Sequence, residues 1–452
     1  MEVVHSENIA LFEKGRINGT ILKYTYQDIE LLHPYTGAER DLYFEIGVDD
    51  RLIDLSMTRL RLGIKVVKDD NTEFHLEYKT LDDGVSEIDR DNPKNEYAIP
   101  IDCIFHSMWK SVQVFYENNK ISGSSRNYAY KAFLDILLST TFTAKTTILH
   151  LIGLATDHDN FDATNPRSAI ANRGLQRRYE MTRNGKELFM QGGLLNDLWK
   201  QKHLLVNDRN IKVVFEANKE IFRLMMQPPT LDAHIELIKP VLRVARVTPT
   251  DEVKKALEEM KKEEPVEYPH RLGKIKTRSV NAGERTYAFT NVFNGMIPTK
   301  LVIGFVEEEA YSGHKSKNPF KFSNLDIINA EVMVGSEALP GKGYKLDFSK
   351  GQFADALENL YSIFSPTCQP MDIGVTREQF KEGLCLLAFD LDPSTPGDLS
   401  TWGLPRSGNL DLNVEFRENI KKTHELIMYG IFPATVELDS KGSVVTNELL
   451  LQ

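Results

Sequence analysis

Ser111-Val-Gln-Val-Phe-Tyr116 alternates polar and apolar side chains and stops at the polar turn Glu117-Asn-Asn-Lys120. Tyr128-Ala-Tyr-Lys-Ala-Phe-Leu-Asp-Ile-Leu-Leu138 follows, with its apolar residues at the period of a helix. The plan recurs far downstream. Ala330-Glu-Val-Met-Val334 leads into Gly335-Ser-Glu-Ala338, and Phe353, Leu357, Leu360, Tyr361 and Phe364 then share one helical face. The chain reads as two similar β-rich halves, each holding an amphipathic helix at the same place in its order of elements.

Composition agrees with two folded halves. A chain of 452 residues exceeds one ordinary core, and 41% hydrophobic with 27% charged residues is ordinary globular usage. The formal charge of -10 argues against a surface devoted to phosphate backbones, so any nucleic-acid contact is expected to be local. Cys103, Cys368 and Cys385 have no metal-type spacing, and their odd number makes a poor disulfide framework, which favours a reducing compartment. Met1-Glu-Val-Val-His-Ser-Glu-Asn8 lacks the basic and apolar segments of a secretory signal. The most apolar run, Thr147 to Ala155, is far shorter than the ~20 residues that span a bilayer.

Outward from the repeated unit, residues 1–40 read as an N-terminal arm and 41–248 as a first sandwich. Strands are expected at Asp41–Ile46, Arg59–Val67, Glu73–Tyr78, Ile211–Phe215, His234–Ile238 and Val241–Val247. Between Asp157 and Gly193 a long polar loop is expected, bearing Arg173, Arg177, Arg178 and Arg183, with a short strand near Glu187–Met190. Leu194–His203 and Asn218–Met226 read as short helices. Residues 249–270 form a charged connector, in which Thr250 caps a solvated helix ended by Pro265, with Asp251/Lys255 and Glu258/Lys262 four apart. A second sandwich, 271–440, carries strands at Thr286–Thr290, Lys300–Val306, Leu325–Ala330, Leu384–Asp390, Asn409–Phe416 and Glu425–Tyr429, and 441–452 is a tail. Strands this frequent, with few crossover helices, favour an antiparallel sandwich or jelly roll over a parallel α/β sheet.

Signatures of catalysis are missing from the sequence. There is no phosphate-cradling loop, nucleophile elbow or His-Glu-x-x-His helix, and Gly341-Lys-Gly343 lacks the needed spacing. His106 and His150 read as satisfied core histidines. The acids of Asp157-His-Asp-Asn-Phe-Asp162 are close enough to clasp calcium, but the segment lacks the glycine and distal glutamate of a helix-loop-helix site, leaving a polar loop as the plainer reading. Tyr128, Tyr130 and Phe133 are better explained by helix packing than by base stacking. No enzyme activity, cofactor or metal is expected.

One set of motifs in the second half is distinctive: Asn291-Val-Phe-Asn-Gly-Met-Ile-Pro-Thr-Lys-Leu-Val-Ile-Gly-Phe-Val306, Ala310-Tyr-Ser-Gly313, Lys317-Asn-Pro-Phe-Lys-Phe322 and Arg406-Ser-Gly-Asn-Leu-Asp-Leu412. In this order the set resembles the capsid proteins of Maverick/Polinton elements and their adintovirus-like relatives. The resemblance continues through Ile427–Phe432 and Val436–Leu438 and back through Leu194–Asn207. The helix at 251–264 is not part of that pattern.

The resemblance implies an all-β dominated double jelly roll: two eight-stranded antiparallel sandwiches with short helices between strands. It further implies a major capsid protein whose homotrimers, pseudo-hexagonal in outline, tile an icosahedral shell around double-stranded DNA. Its expected partners are further copies of itself and a minor capsid or penton protein, without specific nucleic-acid binding; membrane contact is left open. It would reside in the virion, after synthesis without a secretory signal and assembly in cytoplasm or nucleus. Asn291, Gly295, Pro298, Gly304, Gly313, Asn318, Pro319, Phe320, Ser407, Gly408 and Asn409 are the expected structural and assembly positions. The arm and the tail after Val436 are candidate contacts to neighbouring subunits, and the Arg-bearing loop 173–183 is a candidate contact to genome or a minor protein, with a solvated loop the plainer reading. Alternatives are a minor capsid or penton subunit, for which the chain is long, and a β-sandwich carbohydrate-binding protein or glycosidase.

Overall fold

Backbone pairing, traced strand by strand, resolves the two halves into one repeated topology. The computed structural model describes residues 19–33, 41–80, 86–124, 126–168, 170, 172–365, 370–391, 405–439 and 444–446. In the first half the principal strands are β1 (Ile21–Ile29), β2 (Leu42–Ile46), β3 (Leu52–Lys68), β4 (Trp109–Tyr116), β5 (Asn119–Ser124), β6 (Leu188–Gly193), β7 (Ile211–Ala217) and β8 (Ala233–Pro249). The second half follows with β9 (Val266–Val280), β10 (Thr286–Phe289), β11 (Lys300–Glu307), β12 (Ile327–Val334), β13 (Glu337–Lys345), β14 (Leu386–Asp390), β15 (Leu410–Phe416) and β16 (His424–Leu438).

The first half contains the sheets β1-β8-β3-β6 and β2-β7-β4-β5, and the second contains β9-β16-β11-β14 and β10-β15-β12-β13, all pairs antiparallel. Each half thus has one sheet in the order first, eighth, third, sixth and another in the order second, seventh, fourth, fifth. This is the jelly-roll order, and the chain is a double jelly roll. Val444–Thr446 adds a short strand to the far end of β16.

Alternation builds both cores. Leu410, Leu412, Val414 and Phe416 of β15 are buried while the residues between them are half-buried, and Ile211, Val213 and Phe215 do the same in β7. The repeated unit legible in the sequence is a β-hairpin followed by a helix. β4 and β5 join at Glu117-Asn118 and precede α1 (Tyr128–Ser139); β12 and β13 join at Gly335-Ser336 and precede the helix Ala354–Ser362. The polar turns are shorter than the sequence indicated, because Asn119-Lys120 and Glu337-Ala338 already pair as strand.

Several expectations are corrected. Residues 21–29, assigned to the arm, form edge strand β1 paired along β8, so the first roll begins well before residue 41. Glu73–Glu77 is not strand; only Tyr78–Thr80 pairs, with Ser86–Ile88. His234–Ile238 and Val241–Val247 are one strand, with Lys239 at φ +43° where the register shifts. Leu194–His203 contains only a 3-10 turn at Asp197–Lys200, and Asn218–Met226 is a short helix running into strand Leu224–Gln227. The Arg-bearing stretch is the helix α2 (Arg173–Thr182), capped by Asn172, whose side chain accepts from the Gly174 and Leu175 amides.

The connector is a helix, α3 (Asp251–Glu263), with no buried residue, and the Thr250 hydroxyl accepts from the Val253 amide. Its lysines reach the first roll: Lys254 pairs with Asp50 and Lys261 with Asp208. The second roll starts at Val266, directly after Pro265. Residues 1–18 of the arm, Cys368 and most of the tail after residue 439 lie outside the described residues.

Candidate functional site

Helix α1 has no wet face: Tyr128 through Leu138 are all buried, although the segment carries Lys131 and Asp135. A helix apolar all round needs cover on every side, and here the second roll supplies it. Phe320 stacks on Phe133, ring centroids 4.2 Å apart and planes within 4°, and meets Tyr130 edge-on at 5.5 Å. Tyr311 stacks on Tyr130 at 5.7 Å, and its hydroxyl donates to Asn127 Oδ1 at 3.1 Å.

These rings lie on one excursion of the second roll, from the end of β11 to Phe322. Two glycines permit it. Gly313, at φ +99°, brings the chain against Ile221 and Phe222 of the first roll; a Cβ there would stand 3.0 Å from Ile221 Cγ1. Gly304 lets Phe322 lie against β11, because a Cβ would stand 2.5 Å from its ring and 2.8 Å from Leu386.

Asn318 is the polar centre of the excursion and is buried. Its Nδ2 donates to Asp157 Oδ2 at 2.6 Å and to Phe161 O at 3.2 Å, its backbone amide donates to Asp162 Oδ1 at 3.1 Å, and its Oδ1 accepts from the Phe320 amide at 2.9 Å. Lys321 pairs with Asp162, and Gln379 Nε2 donates to Asp157 O at 2.8 Å. Arg178 of α2, also buried, places Nη2 2.8 Å from Asp157 Oδ1 and donates to Pro100 O and Ala155 O. The acidic segment considered for calcium thus has the carboxylates of Asp157 and Asp162 engaged by Arg178, Lys321 and Asn318. Burial pushes the neighbouring Asp102 carboxyl up to about 6, against the pull of Arg178.

A second polar cluster joins α1 to the second roll. Lys131 Nζ lies 2.8 Å from Asp197 Oδ1 and 3.4 Å from Asp135 Oδ2, and Lys200 Nζ lies 2.9 Å from Asp135 Oδ2. From β16 the Tyr429 hydroxyl donates to Asp135 Oδ1 at 2.5 Å; from β9 the Gly273 amide donates to Asp197 Oδ2 at 3.1 Å. Burial opposes the charge on Asp135, but Lys200, Lys131 and the Tyr429 hydroxyl outweigh it and hold the carboxyl well below its usual range. Lys145 forms a third bridge: its ammonium donates to Leu137 O and to Ile373 O of the second roll, and burial pushes its pKa down to about 7.

The residues marked in the sequence divide into two places. Gly304, Gly313, Asn318, Pro319 and Phe320 belong to the junction. Asn291, Gly295, Pro298, Ser407, Gly408 and Asn409 gather at one end of the second roll. There Met296-Ile297 pairs with Arg406-Ser407, the Asn291 amide donates to Asp411 Oδ1 at 2.7 Å, its Oδ1 accepts from the Gly295 amide, and the Gly408 amide donates to Gly295 O at 2.9 Å. His106 is a core histidine, Nδ1 3.1 Å from the Tyr128 hydroxyl, with burial lowering its pKa to about 3. His150 is not: it sits half-buried beside Ile148 and Leu151, which are 63% and 58% exposed. Lys131, Asp135, Asp197, Lys200 and Tyr429 escaped the sequence reading. The available signal was a lysine and an aspartate four apart inside a helix with no polar face.

Two outcomes check the junction. Asp135→Ala strands Tyr429 and removes a buried partner of Lys131, so urea unfolding is expected to show a loss of about 3–5 kcal/mol. For Lys145 the folded pKa lies below the unfolded one, so the unfolded chain holds the extra proton between about 7 and the ordinary lysine value. Its contribution therefore rises with pH through that window, and the rise is expected to flatten in Lys145→Met, as followed by unfolding at a series of pH values.

No protein-family model matches the chain. Uncharacterized protein F54H12.2 of Caenorhabditis elegans is 23% identical over 362 residues, covering 78% of this chain and 82% of that protein. Among solved structures, a chain of the Sputnik virophage superposes with a TM-score of 0.58 at 12% identity, covering 99% of this chain and 93% of that one. The Faustovirus major capsid protein gives 0.57 at 9% identity, covering 94% and 92%. The mavirus major capsid protein gives 0.53 at 13% identity, covering 99% and 96%. The two rolls and the junction between them thus lie within one fold, the double jelly roll of these viral capsid proteins.

Proposed function

We propose that this chain is a structural virion protein: a double-jelly-roll major capsid protein whose homotrimers, pseudo-hexagonal in outline, tile an icosahedral shell around a double-stranded DNA genome. One observation carries the reading. Two sandwiches of identical strand order are locked into one block by a buried junction, and the block corresponds over nearly its whole length to viral major capsid proteins.

Duplication explains why such a block suits a shell. Three copies around a threefold axis present six similar sandwiches, so a trimer fills a six-sided tile. A relative in an animal, Caenorhabditis elegans, fits a capsid gene carried by a Maverick/Polinton element or an adintovirus-like virus. In this reading the protein has no catalytic role and resides in the virion. Its partners are copies of itself and a minor capsid or penton protein. The turn cluster of Asn291, Gly295, Pro298, Ser407, Gly408 and Asn409 shapes the end of the second roll for assembly, while Gly304, Gly313, Asn318, Pro319 and Phe320 set the angle between rolls.

The test is the mass of the purified full chain by light scattering. Three copies of 51.5 kDa predict about 155 kDa, or larger closed shells. A monomer that persists at every salt and protein concentration contradicts the proposal.

A further inference from the structure

A cleft opens beside Lys145, between the first roll and the segment Ile373-Gly374 of the second, with a volume of about 400 Å³ counting its open mouth. Its polar lining is Lys145, Thr146, His150, Thr156, His158 and Arg177, and Leu137, Phe142, Ala155 and Ile373 form an apolar wall. We propose that this cleft binds one phosphate-type oxyanion. The proposal goes beyond the capsid reading and does not depend on it.

The lining gathers two permanent or potential cations and two histidines, with no carboxylate among them, in a protein of net charge -10. The side chains of His150, His158 and Arg177 make no hydrogen bond or ion pair with another described residue. Lys145 has three donors as an ammonium; Leu137 O and Ile373 O take two, which leaves one. Lys145, His150, His158 and Arg177 all border this small, partly closed space, and with one Lys145 donor left over they fit a tetrahedral anion. The apolar wall and the small volume fit one anion rather than a polyanionic chain.

The surrounding charges agree. Arg173 adds its field at His158, and Asp159 faces that ring from its own loop. Asp157 is engaged by Arg178 and Asn318. Asp372 faces Lys145 while its Oδ1 accepts from the Gly374 amide at 3.0 Å, and Asp102 lies behind, holding the Cys103 and Ala155 amides. Burial lowers the pKa of both Lys145 and His158, so an anion arriving between them restores their protons and its binding takes up protons from solution.

The experiment titrates the full chain with inorganic phosphate and with sulfate by calorimetry, and follows thermal unfolding in each salt against chloride at matched ionic strength. The comparison variant is Arg177→Gln with His158→Gln, which removes no side-chain hydrogen bond or ion pair among the described residues. The proposal expects a melting midpoint several degrees higher in phosphate than in chloride, and affinity about tenfold weaker in the variant. Sulfate keeps its charge across the range, so its affinity is expected to be higher near about pH 6 than near about pH 8 as Lys145 gains its proton. Equal midpoints in phosphate and chloride overturn the proposal. So does an equal response in wild type and variant, or a sulfate affinity that ignores pH.

Discussion

The structure depends on the burial of α1 from both sides. One face packs into the first roll, and the other is closed by Tyr311, Phe320 and Phe322 of the second. Neither roll alone covers Tyr130 and Phe133, so separating them would expose stacked aromatic rings and strip Asp135 and Asp197 of the groups that Tyr429 and Gly273 provide. Apolar area supplies most of the attraction. The polar groups act differently: hydrogen bonds around Asn318 and the Lys131 cluster are satisfied at one relative placement of the two rolls, which makes the angle between them a fixed property of the chain.

Much of this was legible, and unevenly so. β7, β11 and β15 announced themselves because one or both of their faces are dry, leaving alternating or continuous apolar runs. β1 did not, because an edge strand with most of its residues exposed is held chiefly by backbone bonds to β8, which leave little mark on side-chain pattern. α2 was hidden by its composition: it buries Leu175, Arg178 and Tyr179 but reads as an arginine-rich polar stretch, since Arg178 goes inside with Asp157 and the carbonyls of Pro100 and Ala155. The acids of Asp157–Asp162, weighed as a calcium site beside the plainer polar loop, pair with the side chains of Arg178 and Lys321.

The junction residues were partly marked. Gly313, Asn318, Pro319 and Phe320 stood among the expected structural and assembly positions, and the stack of Phe320 on Phe133 sets this loop against its own chain. The charged cluster was not marked, because a buried lysine and aspartate are recognisable only once the surrounding helix is known to lack a solvent face.

The repeated strand order and the buried junction describe one block of two sandwiches, and the proposed capsid role builds on that block. A single-particle reconstruction of the purified full chain tests that description most directly. The account predicts a threefold particle with six upright sandwiches of two alternating kinds, each unlike pair within a chain meeting through Phe133 and Phe320. Sandwiches of one chain that adopt variable separations, or a particle without threefold symmetry, would contradict it.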